Sequence, residues 1–262
     1  MNTNMESDPD MNHKTLLVTG GSRGIGAATA RLAAQRGWDV AVNYTRDAAA
    51  AQAVAADVRA AGRRALVLQA DVAVEAEVLA MFAAIDQAWG PGQSLAGLVN
   101  NAGVVDVPAR VQDMGGARIQ RMFAINVFGT LWCAREAVRR MSTTHGGGGG
   151  VIVNLSSAAS RLGAPGQYVD YAAAKGAVDT FTLGLAREVA AEGIRVNAVR
   201  PGIIETDIHA SGGQPGRAAQ MAPLVPMQRA GTAEEVAQAI VWLLSDDSSY
   251  TTGSVVDVTG GR

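Results

Sequence analysis

The chain has 262 residues, 48% of them apolar, a formal net charge of −2 and one cysteine, Cys133. That length leaves one or two domains open and gives a core that needs no covalent staple, and one cysteine excludes a disulfide framework and a cysteine-spaced metal site. Scattered charge and the lack of any apolar run near the roughly 20 residues of a membrane helix argue against nucleic acid and membrane, leaving a small-molecule partner and a cytoplasmic location as the expectations.

Residues 1–13 are polar, lack an apolar signal segment and read as a disordered tail, with Met11 an alternative start. A first strand is predicted at 15–19, followed by a helix at 24–36, then a strand at 39–44 and a helix at 48–61. The pattern continues with a strand at 65–69, a helix at 75–89, a strand at 97–100 and a long helix at 118–141. A glycine run at 146–150, read as a flexible surface turn, precedes a strand at 151–155, a helix at 171–192 and a strand at 195–199. A helix at 233–244 and a strand at 255–258 close the chain. Strands alternating with helices of ten residues or more predict a seven-stranded parallel sheet with helices on both faces, in one domain over 14–262.

The first strand runs into Gly20-Gly21-Ser22-Arg23-Gly24-Ile25-Gly26 and then a helix. Strand, glycine-rich turn and helix together aim backbone N–H groups at a pyrophosphate. Gly20 permits the tight turn, Gly24 the approach of the phosphate and Gly26 the contact of helix with strand. The spacing differs from the commoner G-x-G-x-x-G, and a glycine turn without a ligand is the alternative. Thr19-Gly20-x-x-x-Gly24-Ile25-Gly26 resembles the cofactor motif of the short-chain dehydrogenases/reductases, and further motifs of that family follow in order along the chain. The resemblance implies a Rossmann fold and a nicotinamide cofactor.

A strand end that prefers NAD carries an acid for the ribose hydroxyls, whereas a 2′-phosphate wants a cation. Here the second strand ends Val42-Asn43-Tyr44-Thr45-Arg46, with no acid before Asp47. Asn43, Tyr44 and Thr45 are therefore cofactor contacts and Arg23 the phosphate's counter-charge, with Arg46 a second. NADP(H) is the expected cofactor and NAD(H) the alternative; solvated surface arginines are the ordinary explanation. By resemblance, Asp71 and Val72 lie along the adenine, though Asp71 also suits a helix start. Asn100-Asn101-Ala102-Gly103 is similar to the family's NNAG motif, which adds Asn101, Ala102 and Gly103 to the contacts. Pro201 and Gly202, then Ile203, Ile204 and Thr206, fall where the family holds the nicotinamide.

Tyr171 and Lys175 stand four residues apart on one helix face. A phenol titrates at about 10, and a nearby ammonium would lower that value toward the working range of a proton shuttle. An ordinary surface contact is the alternative. The strand at 151–155 ends in Ser156-Ser157; the resemblance assigns Ser157 to the substrate oxygen and Ser156 to support. The interval from Ser157 to Tyr171 is one residue longer than the family's common form, and Tyr168-Val169-Asp170 absorbs it. Tyr168 lacks a lysine four residues on, so Tyr171 is the choice. Asn126, inside an apolar helix, is implied to distort that helix and to anchor a water leading to Lys175, against the alternative of bonding its own backbone. The implied chemistry is hydride transfer between nicotinamide and a carbonyl or secondary alcohol, with Tyr171 exchanging the proton. His13, His145 and His209 show no ligand spacing, so no metal is expected.

Residues 202–227 predict a substrate lid, with Ile208, His209 and Met221 as contacts and His209 mostly exposed. Trp132 and Cys133 read as packing residues. The sequence resembles the branch of 3-oxoacyl-acyl-carrier-protein reductases and glucose dehydrogenases. An acidic carrier would need cations near the site mouth, and only Arg135, Arg139 and Arg140 offer them. The resemblance also implies a homodimer or homotetramer paired through the helices at 118–141 and 171–192, with 253–262 at another interface. A cofactor-binding regulator with little turnover is the reading from another class, but such proteins lose the Tyr or the Lys. An NAD-preferring sugar or alcohol dehydrogenase is the other alternative.

Overall fold

A computed structural model describes residues 14–90 and 95–262; the tail expected at 1–13 lies outside the described residues. Strand β1 (Thr15–Val18) leads to α1 (Gly24–Gln35), β2 (Asp39–Tyr44), α2 (Ala48–Ala60), β3 (Ala65–Gln69), α3 (Glu75–Trp89) and β4 (Leu95–Asn100). The second half holds α4 (Gly116–Phe123), α5 (Gly129–Met141), β5 (Gly150–Leu155), α6 (Ala159–Leu162) and α7 (Val169–Val189). It ends with β6 (Ile194–Pro201), α8 (Ile208–Ser211), α9 (Arg217–Met221), α10 (Ala233–Leu244) and β7 (Val255–Val258).

The strands form one seven-stranded sheet in the order β3-β2-β1-β4-β5-β6-β7, every pairing parallel. Side chains alternate between its faces, as the pleat requires. Leu16 and Val18 join a cluster with α1, α2 and α10, while Leu17 joins α3, α5 and α7 on the opposite face. Ala28 of α1 meets Ala233 and Ala237 of α10, so small side chains let these helices approach closely. Strand order reverses at β1, which has β2 on one side and β4 on the other, and a crevice opens there at the carboxyl ends of the strands.

Two predicted helices differ from expectation. The stretch at 118–141 is broken by a widened π-type turn at Ala124–Phe128, and α7 stops at Val189, with a tighter turn over Ala190–Glu192. The glycine run is not a loose turn. Gly149 N donates to Met141 O at 2.7 Å, and a Cβ at Gly150 would lie 2.8 Å from the Ala96 carbonyl oxygen, so packing requires glycine there, whereas Gly146 and Gly148 have open space around them. The start of α10 is set by a reciprocal cap: Thr232 Oγ1 accepts from Glu235 N, and the Glu235 carboxylate accepts from Thr232 N.

Candidate active site

The turn between β1 and α1 is built for close approach. Gly20 and Gly24 have φ of +60° and +52°, in the region that disfavours side chains. A Cβ at Gly26 would collide with Asn101 Nδ2 and lie 2.5 Å from Gly20 O. Helix α1 starts with no side-chain cap and no acid in its first turn, which leaves its opening N–H groups for an outside acceptor. Thr206 closes over the turn: a Cβ at Gly24 would be 3.3 Å from its Cγ2. A cradle that side chains cannot fill, beside an uncapped helix start, fits the phosphates of a dinucleotide.

Around that cradle the predicted contacts divide. Asn43 is buried and serves the fold, accepting from Gly20 N at 3.1 Å and donating to Ala70 O at 3.0 Å. Thr45 Oγ1 bonds Ala70 O at 3.4 Å, and Tyr44 is half-buried beside it. Arg23 and Arg46 are exposed, and among the described residues neither has an ion-pair partner; Ser22 is half-buried. Asp47, the nearest acid, is occupied as the cap of α2, accepting from Ala50 N at 2.9 Å. Asp71 accepts from Ala73 N at 2.9 Å in the turn before α3, whose N-cap position is Val74, so Asp71 does not cap the helix. Val72 is buried against Gly129, where a Cβ would be 2.7 Å from its Cγ2.

At the strand ends, Thr19 Oγ1 accepts from Asn101 N and Ala102 N, and Asn101 Nδ2 donates to Thr19 O and Gly20 O. These bonds lock the NNAG segment onto the glycine turn. A cavity of about 500 Å³ opens above it, lined among others by Ile25, Asn101, Gly103, Ser157, Tyr171, Lys175, Pro201, Gly202, Ile204 and Thr206. Ser157 faces the same cavity as the Tyr171 phenol, and its Oγ accepts from Ala159 N at 3.1 Å. Lys175 Nζ donates to Leu155 O at 2.7 Å and sits 5.7 Å from the centre of the Tyr171 ring. Ser156 Oγ donates to Lys175 O at 3.3 Å, so the end of β5 and the middle of α7 are stitched together.

Asn126 lies fully buried in the π-type turn and below the cavity lining. It accepts from Val104 N at 3.2 Å and donates to Val104 O and Met122 O, each at 3.0 Å. It thus bonds both its own helix and the segment after β4. A Cβ at Gly103 would be 2.8 Å from Asn126 Oδ1 and 3.6 Å from Lys175 Nζ, so glycine keeps these two groups adjacent.

The electrostatics depart from the sequence argument. Burial pushes the Tyr171 phenol up to about 12, against a smaller downward pull from the nearby Ser157 hydroxyl. Burial likewise pushes Lys175 down to about 8, partly offset by Asp179. The expected lowering of the phenol by the ammonium is absent here, because burial brings Lys175 itself down to about 8, so its charge is gone before the phenol titrates.

The lid region carries α8 and α9. Ile208 and His209 line the cavity as expected, whereas Met221 does not. His209 is half-buried rather than exposed; its Nε2 lies 3.0 Å from Ile204 O, and burial holds its titration below the ordinary value. Cys133 is fully buried in the core and its thiol is pushed up to about 12 by burial, and Trp132 packs against Phe128 at 6.0 Å between ring centres. Arg135, Arg139 and Arg140 are engaged by Glu75, Glu136 and Asp86, so their charge is largely neutralised within the chain.

Sequence reasoning missed several supports. Asn100 Nδ2 donates to Asn154 Oδ1 at 2.9 Å and Asn154 Nδ2 to Thr182 Oγ1 at 3.0 Å, a buried polar ladder from β4 to α7. Arg118 grips Asp170 through two bonds, at 2.8 and 3.2 Å, just before Tyr171. The asparagines at strand ends were a signal for the first; nothing local pairs Arg118 with Asp170.

A family model described as enoyl-(acyl carrier protein) reductase matches residues 20–262. The chain is 59% identical over 246 residues to the uncharacterized oxidoreductase YgfF of Escherichia coli, covering 94% of this chain and 98% of that one. It is 41% identical to cis-4-hydroxycyclohexanecarboxylate dehydrogenase of Sinomonas cyclohexanicum, over 95% of this chain and 96% of the relative. Among solved structures, a short-chain dehydrogenase from Burkholderia cenocepacia in complex with NADP superposes with a TM-score of 0.85 at 33% identity, covering 95% of this chain and 97% of its own. A double mutant of a Serratia marcescens short-chain dehydrogenase/reductase gives 0.86 at 33% identity, with the same coverage.

Proposed function

The chain belongs to the short-chain dehydrogenase/reductase family, a family of oxidoreductases, and from that premise we propose that it interconverts a carbonyl and a secondary alcohol with NADP(H), Tyr171 exchanging the proton. The observation that carries this reading is the convergence of Ser157, Tyr171 and Lys175 on one cavity that Asn101, Gly202 and Thr206 of the glycine cradle's surroundings also line. When bound, the nicotinamide supplies or accepts the hydride. Ser157 would hold the substrate oxygen and Tyr171 would give it a proton on reduction. Lys175 would hold the nicotinamide ribose, and Asn126, next to Lys175 across Gly103, would order a water that returns a proton toward Tyr171. A phenol at about 12 holds its proton at neutral pH, the state a reduction needs.

Three observations support NADP(H) over NAD(H). Asp47 is committed to capping α2, Arg23 and Arg46 have no ion-pair partner among the described residues, and a structural relative at 33% identity is bound to NADP. Neutralisation of Arg135, Arg139 and Arg140 favours a small free substrate over one carried on an acidic protein. A relative at 41% identity is named for a ring secondary alcohol, which fits that reading. Residues 202–227 would close over the substrate. Pairing of copies into a homodimer or homotetramer would use the stretch at 118–141 and α7, where Phe128, in the π-type turn, and Leu183 stay 47% and 41% exposed. No helix among the described residues is long and apolar enough to cross a membrane, and a cytoplasmic site of action fits an NADP(H) reductase.

The test follows NADPH and NADH oxidation by the purified protein against diketones, quinones, aldehydes, oxo acids, keto-sugars and 3-oxoacyl thioesters. Turnover with NADPH that Tyr171→Phe abolishes is the expected result. Equal or better use of NADH would overturn the role given to Arg23. Tight NADPH binding with no turnover across the panel would favour the regulator.

A further inference from the structure

The mechanism leaves two charged side chains of the cavity, Arg217 and Arg262, without a task, and Arg217 is the one on the lid. Arg217, at the start of α9 in the lid, lines the same cavity as Ser157 and Tyr171 and is half-buried. Its guanidinium stacks on Tyr168, with 5.2 Å from Cζ to the ring centre. Nη1 donates to Gln214 Oε1 at 2.8 Å and Nη2 to Gln167 Oε1 at 2.7 Å; both acceptors are neutral amides. Gln214 Oε1 is further shared with the Tyr168 hydroxyl at 2.6 Å. A guanidinium has five N–H groups in a planar fork, so donors remain after these two bonds.

Several comparably sheltered arginines elsewhere face carboxylates. Arg118 has Asp170, Arg140 has Asp86 and Glu136, and Arg200 has Asp179 and Asp257. Arg195 instead sits on the carbonyls that end α10. Among the described residues Arg217 has neither arrangement. The charged side chains lining the cavity are Lys175, Arg217 and Arg262, and no Asp or Glu side chain is among the lining residues. The remaining wall near the lid is apolar, with Val105, Leu162, Pro165 and Ile208. The field of Arg217 is felt inside: burial has the larger influence on His209 and Tyr168, and the charge of Arg217 pulls the titration of both downward.

We infer that the substrate is an oxo acid or hydroxy acid whose carboxylate seats on Arg217 while its carbonyl or hydroxyl carbon faces Ser157 and Tyr171. The inference rests on the oxidoreductase reading above and adds the substrate's second anchor. A fixed, planar, unneutralised guanidinium binds a carboxylate through paired charge-assisted bonds. Tyr168, Gln214 and Gln167 hold it in place before substrate arrives, which lowers the ordering cost of binding. The extra length between Ser157 and Tyr171 in the sequence supplies Tyr168, the ring on which the guanidinium rests.

The test uses 4-oxopentanoate, 5-oxohexanoate and 4-oxocyclohexanecarboxylate, each beside its methyl ester. Two quantities are read: kcat/KM with NADPH, and calorimetric binding to the NADPH-loaded protein. The expected result is a preference for the acid of about tenfold or more, the scale of one charge-assisted hydrogen bond. It should shrink as salt screens a half-exposed charge. Arg217→Met should bring the acid-to-ester ratio near one through KM, Arg217→Lys should keep part of it, and Arg217→Glu should invert it. A lid-ordering role alone would lower both members of each pair and leave the ratio unchanged. Acids and esters binding equally to the wild type would overturn the inference whether or not either is reduced. Reduction of the esters alongside that equality would leave the oxidoreductase reading standing, and reduction of nothing would sink that reading separately.

Discussion

The ammonium of Lys175 donates to the main-chain oxygen of Leu155 at 2.7 Å, tying the middle of α7 to the end of β5. This bond holds a cation in the interior of the site, where burial brings its titration down to about 8 from an ordinary 10.5.

That shift has a signed consequence for stability. Between pH of about 8 and 10.5 the unfolded chain binds the proton that the folded chain has already released, so stability rises with pH across that window. Tyr171 acts in the opposite sense above its ordinary value of 10.0, since the folded phenol keeps its proton to about 12. Urea denaturation of wild type and Lys175→Met at pH of about 7.5 and 9.5 should show the wild type gaining on the variant by the order of 1–2 kcal/mol. Parallel profiles would show that Lys175 is not desolvated.

Arg118 and Asp170 are 11% and 3% exposed and joined by two hydrogen bonds, and Arg118 Nη1 also donates to Val107 O at 2.6 Å. Arg118→Met would leave the Asp170 carboxylate buried and unpaired, which should destabilise by about 3–5 kcal/mol. The double variant Arg118→Met/Asp170→Leu should regain most of that loss. If the double variant is as unstable as the single one, the pair acts through packing rather than charge.

Gly26 is the point of closest approach in the cradle. The methyl group that Gly26→Ala introduces has no room against Asn101 and the Gly20 carbonyl, so the turn must open. NADPH affinity, read by fluorescence titration, should fall at least about tenfold, the effect of roughly 1.4 kcal/mol. Unchanged affinity in a folded variant would remove the turn from the cofactor site.

The βα alternation, the glycine turn and the Tyr171/Lys175 pair were legible because each is a short-range pattern. Strand and helix periods repeat within a few residues, and a four-residue interval sets a shared helix face whatever the surroundings. The seven strands and their parallel arrangement follow from that alternation, and the observed sheet agrees with it. The family's motifs added roles that periodicity cannot supply. The break in the helix at Ala124–Phe128 was only hinted at by Asn126 in an apolar stretch, since an amide there signals a partner without naming it.

By itself the sequence determined the architecture, the position of the cradle and the residue types at the site, because those depend on local pattern and spacing. Only the tertiary structure decided which groups meet: Asn126 with Val104, Asn100 with Asn154, Arg118 with Asp170, and Arg217 with Gln167. These partners lie between 22 and 54 residues apart in the chain, and packing rather than propensity brings them together. Burial also settled the sign at Tyr171, since the degree of desolvation is a property of the surrounding fold and not of the neighbouring lysine in the sequence.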